Sequence, residues 1–133
     1  MVVFQAPERD VWIAARTNDR ETYALRSLDY NNGAPTIFSL QSAKMRRTVR
    51  QRPLPHWVRY PAGVIVTLSA AGFDIPGFDA VICGDEPRGP RYEYGLGILF
   101  TALCHEMNNC PYDLPALKEA VDTVQRAYVK EML

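Results

Sequence analysis

The chain has 133 residues, 47% of them apolar and 23% charged, and its 15 basic and 15 acidic side chains leave a formal net charge of zero. One domain of this size buries a core without disulfide or metal staples, and a neutral chain lacks the net field that recruits nucleic acid or a membrane surface. No apolar run approaches a bilayer span and no basic-then-apolar leader opens the chain, so we expect a cytoplasmic protein with neither nucleic-acid nor membrane partners.

Residues 2–4 are apolar and read as extended, as though the chain begins in mid-structure. Val11-Trp12-Ile13-Ala14-Ala15 predicts a strand and residues 21–28 a second, with the polar Thr17-Asn18-Asp19-Arg20 between them as a hairpin turn. Residues 29–35 are a loop of turn formers, and 36–40 predict a third strand. Lys44, Arg46, Arg47, Arg50 and Arg52 form a basic run with no acid inside it and no interleaved aromatics, which reads as a solvated surface segment. Pro53 and Pro55 end that irregular region. Trp57, Tyr60, Val64 and Leu68 then recur at helical spacing until Gly72 stops the pattern. Pro61 lacks the N–H that an interior turn needs, so the helix is expected to start near Trp57 or Val58.

The central stretch, residues 84–107, leaves a Val- and Ile-rich run at 78–83 that is short enough to be a buried strand. It closes in a helix whose Leu96, Leu99, Phe100, Leu103 and Met107 form one core-facing stripe. Between them lies a loop with Pro87, Gly89 and Pro90 flanked by Arg88 and Arg91. Such a loop presents backbone N–H groups at the positive end of a helix dipole, which suits a phosphate. Asp79 and Asp85 flank the loop and read as turn-orienting residues. In the last helix Asp113 is the N-cap, Pro115 sits in the first turn, and Leu114, Leu117, Val121, Val124 and Tyr128 face the core. Lys118 with Asp122, and Asp122 with Arg126, form i, i+4 pairs on its wet side. Cys83, Cys104 and Cys110 are an odd number with no Cys-x-x-Cys pair, and Cys104, His105 and Cys110 lack a fourth ligand, so neither a disulfide framework nor a zinc site is expected.

Two places carry a resemblance. The strand leading into Pro87-x-Gly89, and the helix pattern Trp57-x-x-Tyr60-x-x-Gly63-Val64, resemble the N-terminal domain of the galactokinase branch of the GHMP kinases. The segment 6–28 is similar to the stretch just after the first motif of galactokinases. The resemblance implies an α+β fold, a two-layer arrangement of a mixed or antiparallel sheet with helices on one face, in the ribosomal-protein-like βαβ style with one left-handed crossover. It implies ATP and Mg2+ as cofactors, a sugar and a nucleotide as small-molecule partners, and transfer of the γ-phosphoryl to a sugar hydroxyl.

In the family a Pro-x-Gly-x-Gly-Leu-Ser-Ser-Ser-Ala loop wraps the ATP phosphates, and Pro87 and Gly89 match its first two anchors. Arg91 stands at the second glycine, Tyr92 at the leucine, and Glu93, Tyr94 and Gly95 at the three serines. The Glu93 carboxylate repels phosphate unless a magnesium ion sits between them, while Arg88 and Arg91 return positive charge. Trp57 and Tyr60 match residues near the adenine pocket, as does a serine at the place of Ser27. The resemblance therefore implies a nucleotide-binding set of Ser27, Trp57, Tyr60, Pro87, Arg88, Gly89, Arg91, Glu93, Tyr94 and Gly95, and no catalytic residue.

The family's sugar motif, Gly-Arg-x-Asn-x-x-Gly-Glu-His-x-Asp-Tyr-Asn-Gly-Gly, is missing. Asp29-Tyr30-Asn31-Asn32-Gly33 imitates its tail from the wrong side of the turn. The Cys-Gly-x-x-Asp-Gln segment that holds the catalytic aspartate has no equivalent either. Residues 1–133 are thus expected to be a single, partial N-terminal domain, with the sugar motif before residue 1 and the catalytic and C-terminal segments absent, inactive in isolation and homodimeric. The alternative is a non-catalytic module in which Arg88, Arg91, Tyr92 and Tyr94 hold an anion, a sugar or a protein.

Overall fold

The structure is a computed structural model and describes residues 2–5, 10–28 and 33–130. Five strands, β1 (Val2–Gln5), β2 (Trp12–Thr17), β3 (Thr22–Ser27), β4 (Thr36–Ser39) and β5 (Phe78–Cys83), form one mixed sheet in the order β1-β2-β5-β3-β4. Only the central β3–β5 pair is parallel. The helices are α1 (Leu40–Lys44), α2 (Arg59–Ala70, entered through a 3-10 turn at His56–Val58), α3 (Pro90–Met107) and α4 (Leu114–Val124, continued by a π-helical turn at Gln125–Val129).

Alternation along the strands decides which face is covered. Ile13 and Ala15 of β2, Tyr23 and Leu25 of β3, Phe38 of β4, and Phe78, Ala80 and Ile82 of β5 are all buried under the helices. The rings of Tyr23, Phe38, Phe78 and Phe100 join the two layers, and the Tyr23 hydroxyl donates to the Ile75 carbonyl at 2.6 Å. The opposite face carries Trp12, Ala14, Arg16, Arg26, Ile37, Asp79 and Val81, and no helix among the described residues covers it. The expected α+β architecture with helices on one face is what forms.

Several expectations change. Residues 17–20 are not a hairpin turn, because β2 and β3 do not pair: β5 lies between them, antiparallel to one and parallel to the other. A largely apolar strand that buries one face competes better for the centre of the sheet than a polar local turn can for closing a hairpin. The single stripe on α3 understates its burial, since Gly95, Gly97, Ile98, Thr101, Ala102 and Cys104 are buried as well. This helix is packed by the sheet, α2 and α4 together, and Gly97 leaves the room that Val121 and Tyr60 occupy. Asp113 caps α4 as expected, its carboxylate accepting from the Ala116 N–H at 2.9 Å. Asp122, however, faces inward rather than pairing along the helix: it accepts from the Tyr94 hydroxyl at 2.9 Å, which is a more sheltered partner than a solvated lysine.

The basic run lies at the surface as expected, with Lys44, Arg47, Arg50 and Arg52 exposed, and it is folded. An Arg47–Pro53 bridge closes it, Arg46 lies over the Tyr128 ring at 4.7 Å, and Arg47 donates to the Gln51 carbonyl at 2.9 Å. Asp79 lies at the far end of β5 from the loop it was expected to flank, on the open face, where it accepts from Asn18 Nδ2 at 3.0 Å. The Asp29–Asn32 part of the imitated sugar motif, and the run of the last helix to 133, lie outside the described residues.

Candidate functional site

The carboxyl ends of the parallel pair, β3 ending at Ser27 and β5 at Cys83, open onto the first turn of α3. Crevices outside strand carboxyl ends are where parallel sheets bind ligands. The intervening loop is pinned to the start of β2: the Asp85 N–H donates to the Asp10 carboxylate at 3.2 Å and the Glu86 N–H to the Asp10 carbonyl at 3.0 Å. Gly89 is the N-cap residue of α3, with φ +148 and open space where a Cβ would project. Its missing side chain leaves the N-terminus without a side-chain cap, and Pro90 follows as the first helical residue.

Around this turn the expected residues divide into three groups. Pro87, Arg88 and Arg91 are exposed on the loop and first turn, and Arg91 Nε donates to Glu86 Oε1 at 2.6 Å. Glu93 and Tyr94 are half-buried: Glu93 Oε1 lies 2.7 Å from His56 Nδ1, tying α3 to the 3-10 turn before α2, while Tyr94 stacks edge-on against Tyr60. Ser27, Trp57, Tyr60 and Gly95 are buried. The Ser27 Oγ sits 3.5 Å from the Tyr92 hydroxyl, so β3 meets α3 through a sheltered polar contact. Tyr92 is 1% exposed, so its ring is packed away from solvent in this structure, whereas the binding-module alternative has it facing a ligand. The reason is its place in the helix, on the side turned to the sheet and Ser27.

Electrostatics at the turn centre on Glu93. Burial raises its carboxyl above the ordinary glutamate range, and the neighbouring His56 and Arg59 charges only partly oppose that. Arg59 keeps its Nε–H buried without a hydrogen-bond partner among the described residues, an arrangement that costs roughly 1–3 kcal/mol when left unmade. Burial, then Glu93 and Asp122, push the Tyr60 phenol up. Sequence patterns did not mark His56, Arg59, Glu86 or Asp10. His56 and Arg59 flank the Trp57 motif and Glu86 precedes Pro87, so proximity in sequence was the available signal; nothing marked Asp10, which is 75 residues from its partner.

A mixed α+β sheet of this order with helices on one face is the fold seen in the N-terminal domains of solved GHMP kinases. The galactokinase of Lactococcus lactis, solved with galactose, superposes on 92% of this chain and 31% of its own with a TM-score of 0.74 at 20% identity. A mevalonate kinase does so over 93% of this chain and 39% of its own, with a TM-score of 0.67 at 14% identity. The chain thus spans about a third of the length of these neighbours. No protein-family model and no curated protein matches the sequence.

Proposed function

We propose that residues 1–133 form the nucleotide-side part of a galactokinase-like sugar kinase, a single partial N-terminal domain whose parent activity is ATP-dependent phosphorylation of a sugar hydroxyl. The observation that carries this reading is the uncapped α3 N-terminus at Gly89, open to solvent, at the carboxyl ends of β3 and β5. Backbone N–H groups there suit the phosphates of a nucleotide, and Arg88 adds positive charge. The buried Arg59 Nε–H is a further donor beside the same turn.

Magnesium fits less well. Beside the turn, Glu86 is paired with Arg91 and Glu93 with His56, so either would have to leave its partner to hold a metal. Nucleotide binding should therefore be weak, and no transfer step follows from these residues alone. Holding both reactants in line is worth about 7–11 kcal/mol of barrier lowering, and the sequence has neither the sugar motif nor the aspartate segment that would supply it. The chain in isolation is accordingly inactive; we also read it as cytoplasmic, like the sugar kinases it resembles, and as paired with a second copy through Val3 and Trp12 at one side of its sheet.

The test is amide NMR of the 15N-labelled chain with ATP, with and without magnesium. Signals of residues 87–97 should move at millimolar nucleotide; if none moves, the site does not exist. A coupled ADP-release assay over hexoses and pentoses should find no sugar-dependent turnover near 1 per second, roughly the lower end of ordinary enzymes. Turnover at that rate, lost in Asp85→Asn, would overturn the inactivity.

A further inference from the structure

The sheet face opposite the helices is grooved, and its charge is one-sided. Cross-strand pairing sets two rows on it: Arg16, Asp79, Ala24 and Ile37 in one, and Val3, Ala14, Val81 and Arg26 in the other. Over these rows, short of Val3 at the β1 edge, runs a groove of about 460 Å³ lined by Arg16, Arg20, Arg26 and Asp79 on an alanine, valine and isoleucine floor. A second groove of about 460 Å³ continues from it past Pro35 and Ile37 to Arg50 and Arg52, at the edge of β4. Five of the chain's fifteen basic residues therefore border one continuous depression in a molecule of zero net charge. Asp79 is the carboxylate among the lining residues of these two grooves, and it already accepts from Asn18; Asp19 lines the hollow that adjoins them at Arg16 and Arg20, so the basic excess is five to two.

We infer that this depression is a docking surface for an acidic amphipathic segment of a partner protein. An apolar floor gains free energy only from apolar side chains, and an arginine rim selects carboxylates by charge complementarity. A helix with leucines on one side and glutamates on its flanks meets both demands. A second copy of this chain laid face to face would set arginines against arginines, which costs specificity and affinity. Single-stranded nucleic acid would satisfy the arginines but wants aromatic platforms for its bases, and neither groove is lined by one. The inference concerns the face away from the α3 turn and stands whether or not a nucleotide binds there.

Fluorescence anisotropy on the full chain tests it with four fluorescein-labelled probes. These are an 18-residue Leu/Glu peptide of helical spacing, its Leu/Lys counterpart, an oligoglutamate of equal length, and an oligo-dT. We expect the Leu/Glu peptide to bind with Kd below about 100 µM at low salt, at least about tenfold tighter than each of the other three, and to weaken as salt shortens the Debye length. Arg16→Glu with Arg26→Glu should lower its affinity about tenfold or more, while Lys118→Glu on α4 should leave it unchanged. If the first pair fails to fold by circular dichroism, Arg50→Glu with Arg52→Glu replaces it at the second groove. Equal binding of the Leu/Lys peptide, the oligoglutamate or the oligo-dT overturns the inference, as does no binding of the Leu/Glu peptide or no loss on charge reversal.

Discussion

Glu93 is a carboxylate whose burial outweighs its partners. His56 and Arg59 favour its charged form, yet its carboxyl is held above the ordinary glutamate range. A group with a raised folded-state value stabilises the fold fully below its unfolded value, and that contribution is lost as pH rises through the folded value. Glu93 therefore weighs against stability at neutral pH, where it must be ionised in a half-buried site. Glu93→Gln should raise the thermal midpoint at pH 7–8 relative to the parent chain, and the difference should shrink below about pH 4, under the ordinary glutamate value. Thermal melts across that range check it. A midpoint lowered at neutral pH would mean that the His56 contact contributes more than burial costs. The same substitution removes a negative charge beside the α3 turn, so nucleotide-induced shifts there should grow. Cys104 stands at the other extreme: burial pushes its thiol up to about 12, which keeps it inert as a core side chain.

At the scale of elements, the arrival of β5 between β2 and β3 depends on one small residue. Gly77 precedes β5, its carbonyl accepts from the Asn18 N–H at 2.9 Å, and a Cβ there would stand 2.1 Å from the Arg20 carbonyl oxygen and 2.7 Å from that of Thr22. The segment linking β2 to β3 thus folds over the entry to β5 instead of closing a hairpin. Gly77→Ala should destabilise the chain by about 1–3 kcal/mol or more, because backbone rather than a flexible side chain must move. Urea denaturation measures it, and a change under about 0.5 kcal/mol would show that this crossing is looser than the geometry implies. The helices illustrate the same dependence. Glycine inside a helix weakens it locally, yet Gly63 and Gly97 each make room for neighbouring side chains: Val124 and Tyr128 at the first, Val121 and Tyr60 at the second.

The described residues leave one sheet face bare. Val3 is 55% exposed, Trp12 40% and Leu28 67%, apolar side chains standing beyond the arginine-lined grooves. Burying apolar surface of this kind is worth about 25 cal/mol per Å², which favours a second copy confined to the Val3 and Trp12 side of the face, offset from the arginine-lined grooves rather than laid across them. Sedimentation equilibrium at high micromolar concentration should report a dimer, and Trp12→Lys should return it to a monomer. A monomer of the unaltered chain under those conditions removes the homodimer from consideration. No helix among the described residues is long and apolar enough to cross a membrane.

Periodicity and turn chemistry alone determined most of the elements. The β5 strand at Phe78–Cys83, the Asp113 cap and the start of α2 beside Trp57 all follow from local preferences that act over a few residues. The motif around Pro87 and Gly89 was legible for the same reason, since a loop that must turn into a helix is written in adjacent positions. What the tertiary structure decided is everything that depends on residues far apart: the insertion of β5, the burial of Tyr92 against Ser27, the capture of Asp122 by Tyr94, and the pairing of Glu93 with His56. Side-chain partners 28 to 65 residues away leave no periodic trace, because which face of a strand or helix meets which neighbour is set by the packing of the whole sheet against its helices.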